Sequence, residues 1–466
     1  MSVRATTDTI AAIATPPGAG GVGIVRVSGT EALPLFKQLF VPLHPRSSFT
    51  SHRLYYGSIH ARSGILLDEV LAVYMRAPHT YTREDVVEFQ CHASPLVLQE
   101  LLEHLFTLGA RPAEPGEFTK RAFLSGRIDL SQAEAVIDLL EARSATGAGL
   151  AAAQLQGALA RTIDAIRAAL IELMARLEVA IDFPEEDADI FDRHEAAHIL
   201  QERVMAPIKM LISNADHGRI FREGARLVIA GQPNAGKSSL LNALLREDRA
   251  LVTPVPGTTR DTIEEGMTLH GIPLQVIDTA GIRTDHADQV EALGVDRAHR
   301  MIDTADCVLF LVDAQTGFTE ADRQLYTSLA HKRRLLVLNK RDLITAEQEQ
   351  HLRTLLGKIQ EPVVSISARN GDGMEELHKA ILRAITPGKS SLVETARFAP
   401  NRRHRSLLIQ AEAACTACLD TLAAGAPLDL LSVDVQTVLE SIGEIGGHAA
   451  SDEVLDAVFS RFCIGK

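Results

Sequence analysis

Three short motifs fix what the middle of this chain can fold into. Gly-Gln-Pro-Asn-Ala-Gly-Lys-Ser stands at 231–238, Asp-Thr-Ala-Gly at 278–281 and Asn-Lys-Arg-Asp at 339–342. Each follows or closes an apolar run, at 227–230, 274–277 and 335–338. The first motif has the G-x-x-x-x-G-K-[ST] spacing, and the helix-like stretch 239–245 completes a strand–loop–helix context. Glycines in such a loop let backbone N–H groups face phosphates, and the helix N-terminus adds partial positive charge. The candidate contacts there are Asn234, Ala235, Gly236, Lys237, Ser238 and Ser239, with Lys237 for the β- and γ-phosphates and the Ser238 hydroxyl for Mg2+. Asp278, with Thr279 and Ala280, sits at a strand's carboxyl end facing the metal, and Gly281 brings its N–H close to a γ-phosphate because no side chain intervenes. Guanine presents adjacent N–H donors on its pairing edge and a carboxylate accepts both, so Asp342, with Asn339 and Lys340, argues for GTP over ATP. After the strand-like 363–366, Ser367, Ala368 and Arg369 fit a last base-contacting loop with a backbone N–H for the guanine oxygen. Alone, Asn-Lys-x-Asp is usually a surface turn. The order of the motifs gives it weight.

The rest of the chain is organised around this module. At 466 residues it has room for about three domains, and 46% hydrophobic content with a mean hydropathy of +0.06 excludes wholesale disorder. No window has the length of a membrane span, and the apolar stretch 9–27 is broken by Pro16, Pro17 and several glycines, unlike a signal peptide. Five scattered cysteines give no disulfide framework and point to the reducing cytoplasm. A net charge of −13 disfavours broad, charge-driven nucleic-acid binding, leaving a local patch such as Arg402, Arg403, His404 and Arg405, or else a partner. That patch reads equally as a solvated helix start.

Residues 1–126 mix short alternating strands with Gly/Pro punctuation, an α+β pattern. From 127 to 221 the pattern is helical: Ile163, Ile166, Leu170, Leu173, Leu177 and Ile181 form one stripe, ended by the Pro-Glu-Glu-Asp run at 184–187. A second helix is expected over 194–214, kinked or broken at Pro207. Residues 222–387 are the α/β nucleotide module. Residues 388–466 turn helical again over 402–422, 430–442 and 451–462, the last capped by Ser451. Helical stripes on both sides of the module each need a partner, so one discontinuous all-α domain with the nucleotide module inserted is expected.

Further segments carry a family resemblance. These are Asp8-Thr9-Ile10-Ala11-Ala12, the run from Ala14 through Pro16-Pro17-Gly18 to Ser28-Gly29, the Arg111-Pro112 to Phe123 segment with Glu114-Pro115-Gly116-Glu117-Phe118, and the closing Phe462-Cys463-Ile464-Gly465-Lys466. With the nucleotide motifs they closely resemble the MnmE (TrmE) family of wobble-uridine-modifying GTPases, over essentially the whole chain. The resemblance implies a multidomain α/β protein: an N-terminal α+β tetrahydrofolate-binding and dimerisation domain, the discontinuous helical domain, and an inserted P-loop GTPase domain. It implies a homodimer that joins a FAD-dependent MnmG (GidA) subunit. Together they would install an aminomethyl or carboxymethylaminomethyl group on uridine C5 in tRNA, with methylene-tetrahydrofolate giving the one-carbon unit. Family folate contacts fall on Arg26, Glu88 and Arg127 (lysine in the best-known pattern), with Lys466 nearby. Without the resemblance, Arg26 and Glu88 read as ordinary strand-flanking charges. Cys463 lies near this site in the family and matters for modification; otherwise it reads as a small packed cysteine. The ending fits a prenylation box badly, and Cys415 and Cys418 read as helix packing rather than a metal pair.

Many small GTPases place a water-orienting glutamine directly after the second motif, where this chain has Ile282. The resemblance supplies a substitute, K+-dependent pairing of the GTPase domains. Asn234 and carbonyls of the loop Thr253, Pro254, Val255, Pro256, Gly257 and Thr258 contact the nucleotide, and Asn234, Thr253, Val255 and Thr258 hold K+. Thr259 completes the Mg2+ shell, and Glu291 maps to the family's catalytic glutamate. Read without the family, Glu291 is one solvated charge among many. The rival reading is a regulatory or ribosome-assembly switch GTPase.

Overall fold

The computed structural model describes residues 8–183, 191–247, 264–278, 301–357, 363–386 and 398–466, with His217, Glu247, Glu264, Glu265 and Asp278 described in backbone only. Two compact units emerge. One comprises Met1–Ile137, Gln154–Ile208 and Ser406–Lys466, the other Asp138–Ala153 and Lys209–Arg405.

The first unit begins with strands β1 (Ile10–Ile13), β2 (Gly20–Ser28), β3 (Phe40–Pro42), β4 (Arg53–His60), β5 (Leu66–Met75), β6 (Val86–Ala93) and β7 (Arg111–Pro112). They form a seven-stranded sheet in the order β3-β4-β5-β6-β2-β1-β7. All neighbours are antiparallel except β1 and β7. Helices α1 (Ala32–Leu39) and α2 (Pro95–Thr107) cover one face around Phe36, Phe89, Leu101 and Leu105, all at most 1% exposed. Each such side chain contributes about 1.5–3 kcal/mol on burial. The alternation along β4 follows: Tyr55 and Ile59 point in, while Leu54 and Tyr56 stay exposed.

Next come α3 (Glu117–Leu124), α4 (Leu130–Leu140), α5 (Ala145–Leu155) and α6 (Ala158–Asp182). The expected stripe on α6 is its buried face, with Ile163, Ile166, Leu170, Leu173 and Leu177 at 0–2% exposure and Ile181 half-buried at the fringe. The Pro-Glu-Glu-Asp run lies outside the described residues. Beyond it the chain is helical from Arg193 to Glu223: of the kink or break expected at Pro207, the break is not there. Helix α7 (Arg193–His198) widens into a π-helical stretch, Ile199–Met205, and continues as α8 (Ala206–Glu223). The Ala206 N–H donates five residues back to Gln201 O. Proline lacks an N–H and its ring crowds the carbonyl four residues earlier, so one wider turn absorbs it and the helix survives.

The second unit holds β8 (Ala225–Gly231), α9 (Lys237–Glu247), β9 (Glu264–Leu269), β10 (Ile272–Asp278), β11 (Cys307–Asp313), α10 (Glu320–Ser328), β12 (Arg334–Asn339), α11 (Ala346–Leu356), β13 (Val363–Ser365) and α12 (Met374–Ile385). Its six-stranded sheet runs β13-β12-β11-β8-β10-β9, parallel except for the β9–β10 hairpin. Odd positions such as Leu227, Ile229, Leu309, Leu311 and Val337 face one core, and even positions such as Val228, Phe310, Val312 and Leu336 face the other. A sheet buried on both faces needs continuous apolar strands, which is why the runs before the motifs look unbroken. The parallel strands β8, β10, β11 and β12 place all their carboxyl ends, and hence the motif loops, along one edge.

The remaining helices are α13 (Arg402–Ala423), α14 (Leu428–Gly446) and α15 (Asp452–Phe459). In the first unit α14 packs along α6, and Cys415 Sγ lies 3.8 Å from Leu200 O, so segments from both sides of the nucleotide module share one core. Ser451 caps α15, its side chain accepting from the Val454 N–H.

Candidate functional site

Strand β8 ends at Gly231 and the chain turns into α9 at Lys237. Asn234 (φ 65°) and Gly236 (φ 94°) take left-handed backbone conformations in this turn. At position 236 only glycine fits, since a Cβ would lie 2.3 Å from Asn339 Nδ2. Lys237 is buried, and its ammonium donates to the carbonyls of Gly231 and Gln232, each at 3.0 Å. Ser238 and Ser239 are exposed on the first turn of α9, and Asn234 is exposed on the loop. A serine hydroxyl is a hard oxygen of the kind Mg2+ takes, so Ser238 could serve as one ligand.

Asn339 closes β12 and is 2% exposed. Its Nδ2 donates to Ala235 O at 2.9 Å, and its Oδ1 accepts from the Ala368 N–H at 3.0 Å. One amide therefore ties the phosphate loop to the last base-contacting loop. Of the backbone N–H groups that the sequence offers to a guanine oxygen at 367–369, that of Ala368 is engaged by Asn339. Lys340 (φ 64°) leads into the short turn Arg341–Leu343, which presents Asp342 exposed. That turn is pinned by the Arg341 N–H on Ile366 O (3.1 Å). Ser367 is fully buried, its N–H on Asp372 O and its Oγ accepting from the Asn370 N–H, while Arg369 is exposed. One neighbour escaped the sequence reading: Asp313, whose Oδ2 accepts from Lys340 Nζ at 2.6 Å. Its signal was available, because Asp313 ends an apolar strand just as Asp278 and Asn339 do.

In the first unit the antiparallel register of β2 and β6 sets Arg26 opposite Glu88. Arg26 Nε donates to Glu88 Oε1 at 2.8 Å, its Nη1 to Gly465 O at 3.2 Å, and the guanidinium lies 5.6 Å from the Phe118 ring centre. The Phe118 N–H donates to Lys466 O, and Gly465 (φ 96°) sits so close to Ile13 that a Cβ would fall 2.3 Å from its carbonyl oxygen. Arg127 covers the Tyr81 ring at 4.8 Å and donates to Tyr81 O, and Tyr81 packs against the Phe118 cluster. Arg26, Glu88, Arg127 and the backbone of Lys466 thus gather around two aromatic rings. Cys463 is exposed, so the packed-cysteine reading does not hold there, whereas Cys415 and Cys418 are buried.

Around Glu117, the neighbour of Phe118 in α3, lies an ionic network that the sequence shows only as scattered charges. Arg111 makes a two-pronged bond to Glu117 (3.0 and 2.6 Å), while Arg121, 4% exposed, reaches Glu117, Glu84 and Asp8. Burial pushes the Glu117 carboxyl up, but Arg111, the Glu114 N–H and Arg121 outweigh it and hold the group below its ordinary 4.5. The basic run at 402–405 is less of a patch than its sequence suggests. His404 is fully buried, exchanging bonds with Asn401, and Arg405 is paired with Asp216.

A family model described as the MnmE helical domain matches residues 130–463, and one described as the GTP-binding protein TrmE N-terminus matches residues 9–127. The tRNA modification GTPase MnmE of Desulfotalea psychrophila is 49% identical over 462 residues, 98% of each chain. That of Chloroflexus aurantiacus is 45% identical over 462 residues, covering 98% of this chain and 100% of its own. The chain belongs to the MnmE family. Part of the MnmE-type site expected from the sequence lies outside the described residues: Thr253, Pro254, Val255, Pro256, Gly257, Thr258, Thr259, Thr279, Ala280, Gly281 and Glu291. Asp278 is described as the last residue of β10. Among the described residues no His/Cys/Asp/Glu cluster could hold a metal ion, and no helix is long and apolar enough to cross a membrane.

Proposed function

We propose that this chain is a K+-activated GTPase of tRNA modification, working in the cytoplasm as a homodimer with a FAD-dependent MnmG-type subunit. Its product would be the (carboxymethyl)aminomethyl group at C5 of the wobble uridine. The observation that carries the nucleotide half is the Asn339 amide, which sets phosphate loop and base loop at a fixed distance. Asp342 reads the two guanine N–H donors, and Lys237 carries positive charge to the β- and γ-phosphates. Ser238 and Thr259 would hold Mg2+, and Asn234 with Thr253, Val255 and Thr258 would hold K+; bound there, the two cations would supply positive charge beside the phosphate oxygens, the K+ in the role an arginine finger has elsewhere. Glu291 orients the attacking water, since Ile282 cannot. Arg26, Glu88, Arg127 and Lys466 offer two kinds of recognition to a tetrahydrofolate derivative: a carboxylate for pterin N–H donors and cations for the glutamate tail. The domains follow the family division, 1–126, 127–221 with 388–466, and 222–387 inserted.

Exposed Leu54, Tyr56 and Leu71 support the homodimer. Tyr56 and Leu71 are register partners, and Leu71 also pairs with Gln90, next but one to Glu88. This apolar strip continues the sheet face that carries Arg26 and Glu88, so a second copy seated there would wall the folate site.

Nucleoside analysis of tRNA from cells lacking the protein tests the assignment. Loss of the C5 modification at the wobble uridine is expected, and an unchanged profile favours the regulatory-switch reading. Exchanging K+ for Na+ should slow GTP hydrolysis severely; equal rates in the two salts remove the cation role. Glu291→Ala should keep GTP affinity and lose turnover, and normal turnover in that variant removes the glutamate.

A further inference from the structure

We propose that Asp313 is a positioning residue of the guanine pocket, holding the Lys340 ammonium so that the lysine's hydrocarbon stem forms a fixed floor for the purine ring. The proposal rests on the guanine-nucleotide reading above. Asp313 is the last residue of β11 and the register partner of Asn339. Both of its carboxylate oxygens are used: Oδ2 accepts from Lys340 Nζ at 2.6 Å, and Oδ1 accepts from the Gln315 N–H at 2.9 Å. The carboxylate therefore has one orientation, set by its own turn before the lysine arrives. The backbone is fastened in parallel, the Ala314 N–H donating to Asn339 O at 2.8 Å.

Lys340 needs such a partner. Its backbone sits at φ 64°, a conformation unusual for a long side chain, between the buried Asn339 and the exposed turn that presents Asp342. An untethered lysine on a flexible four-carbon stem samples many rotamers, and ordering it on each binding event weakens affinity. The Asp313 and Lys340 side chains are 15% and 31% exposed, so their pair contributes orientation more than Coulomb energy. The contact fixes the ammonium end of the lysine, while Cα is fixed by the turn that presents Asp342, so both ends of the stem are held. Asp313 thereby couples the end of β11 to the base loop, as Asn339 couples β12 to the phosphate loop.

The test uses the full-length protein and a fluorescent guanosine diphosphate, with Asp313→Asn, Lys340→Met and the double variant. Each single change should weaken guanine nucleotide about three- to tenfold, chiefly through faster dissociation. The double variant should be no weaker than Lys340→Met alone, because both act through one contact. KM for GTP should rise in Asp313→Asn while kcat at saturation holds, and Asp313→Glu should recover part of the affinity. Melting of the nucleotide-free protein should not move; should Asp313→Asn fail to fold, Lys340→Met and Asp313→Glu are compared instead. Unchanged binding in the single variants, or losses that multiply in the double, overturns the proposal. A parent protein with no preference for guanine over adenine nucleotides would sink the nucleotide reading itself, a distinct outcome.

Discussion

Single side chains decide whether the nucleotide loops hold together. Gly236 is limited twice, by its left-handed backbone and by Asn339 Nδ2 standing where a Cβ would go. Gly236→Ala must strain the loop or expel the Asn339 amide, so GTP affinity should fall roughly 5–150-fold, as expected for about 1–3 kcal/mol of strain. Titration with a fluorescent nucleotide measures it, and affinity within twofold of the parent would show that the loop yields. The motif residues were legible because their chemistry is local: a spacing, a glycine, a carboxylate. Asp313 was legible only as a carboxylate ending an apolar strand; its pairing with Lys340 depends on which strand lies beside β12, and a sequence does not print strand order.

At the level of elements, α3 and β7 are riveted by the Arg111, Arg121 and Glu117 network under Phe118. Arg121 keeps Glu84 and Asp8 and Arg111 keeps Asp8 when Glu117 is neutralised, so Glu117→Gln loses charge-assisted hydrogen bonds without orphaning a cation and should destabilise the sheet of the first unit by about 1.5–3 kcal/mol. The protein has no tryptophan and five tyrosines, of which Tyr55, Tyr56, Tyr74 and Tyr81 lie in residues 1–126, so tyrosine fluorescence reports mainly on that sheet. The Glu117 carboxyl is held below its ordinary value when folded, so its contribution is complete above pH 4.5 and is lost as pH falls through the lower folded value. Melting of parent and variant should therefore converge as pH drops below 4.5. A constant gap from pH 7 into that range would assign the loss to packing alone. Helix periodicity was readable on α6, where one stripe meets one core. The path through Pro207 was not, because the π-helical stretch spaces its buried residues five apart, Ile199 with Val204 and Leu200 with Met205, where an α-helix spaces them three or four apart.

For the whole molecule, the exposed strip of Leu54, Tyr56 and Leu71 makes self-association the property to measure. Leu71→Glu should shift sedimentation from dimer to monomer and weaken folate binding with it. A variant that stays dimeric would move the interface elsewhere. The alternation that buries one side of β4 and β5 was visible in the sequence, but the shared face with Arg26 and Glu88 appears only once the strand register is known. The double tie made by Asn339 has a practical corollary for anyone wishing to build an orthogonal version of this protein. On the proposed guanine reading, recoding the base at Asn339 would also loosen the 231–238 loop, because the same amide holds Ala235 O. Exposed Asp342 carries no such second duty among its described contacts, so a switch toward xanthine-type analogues belongs there.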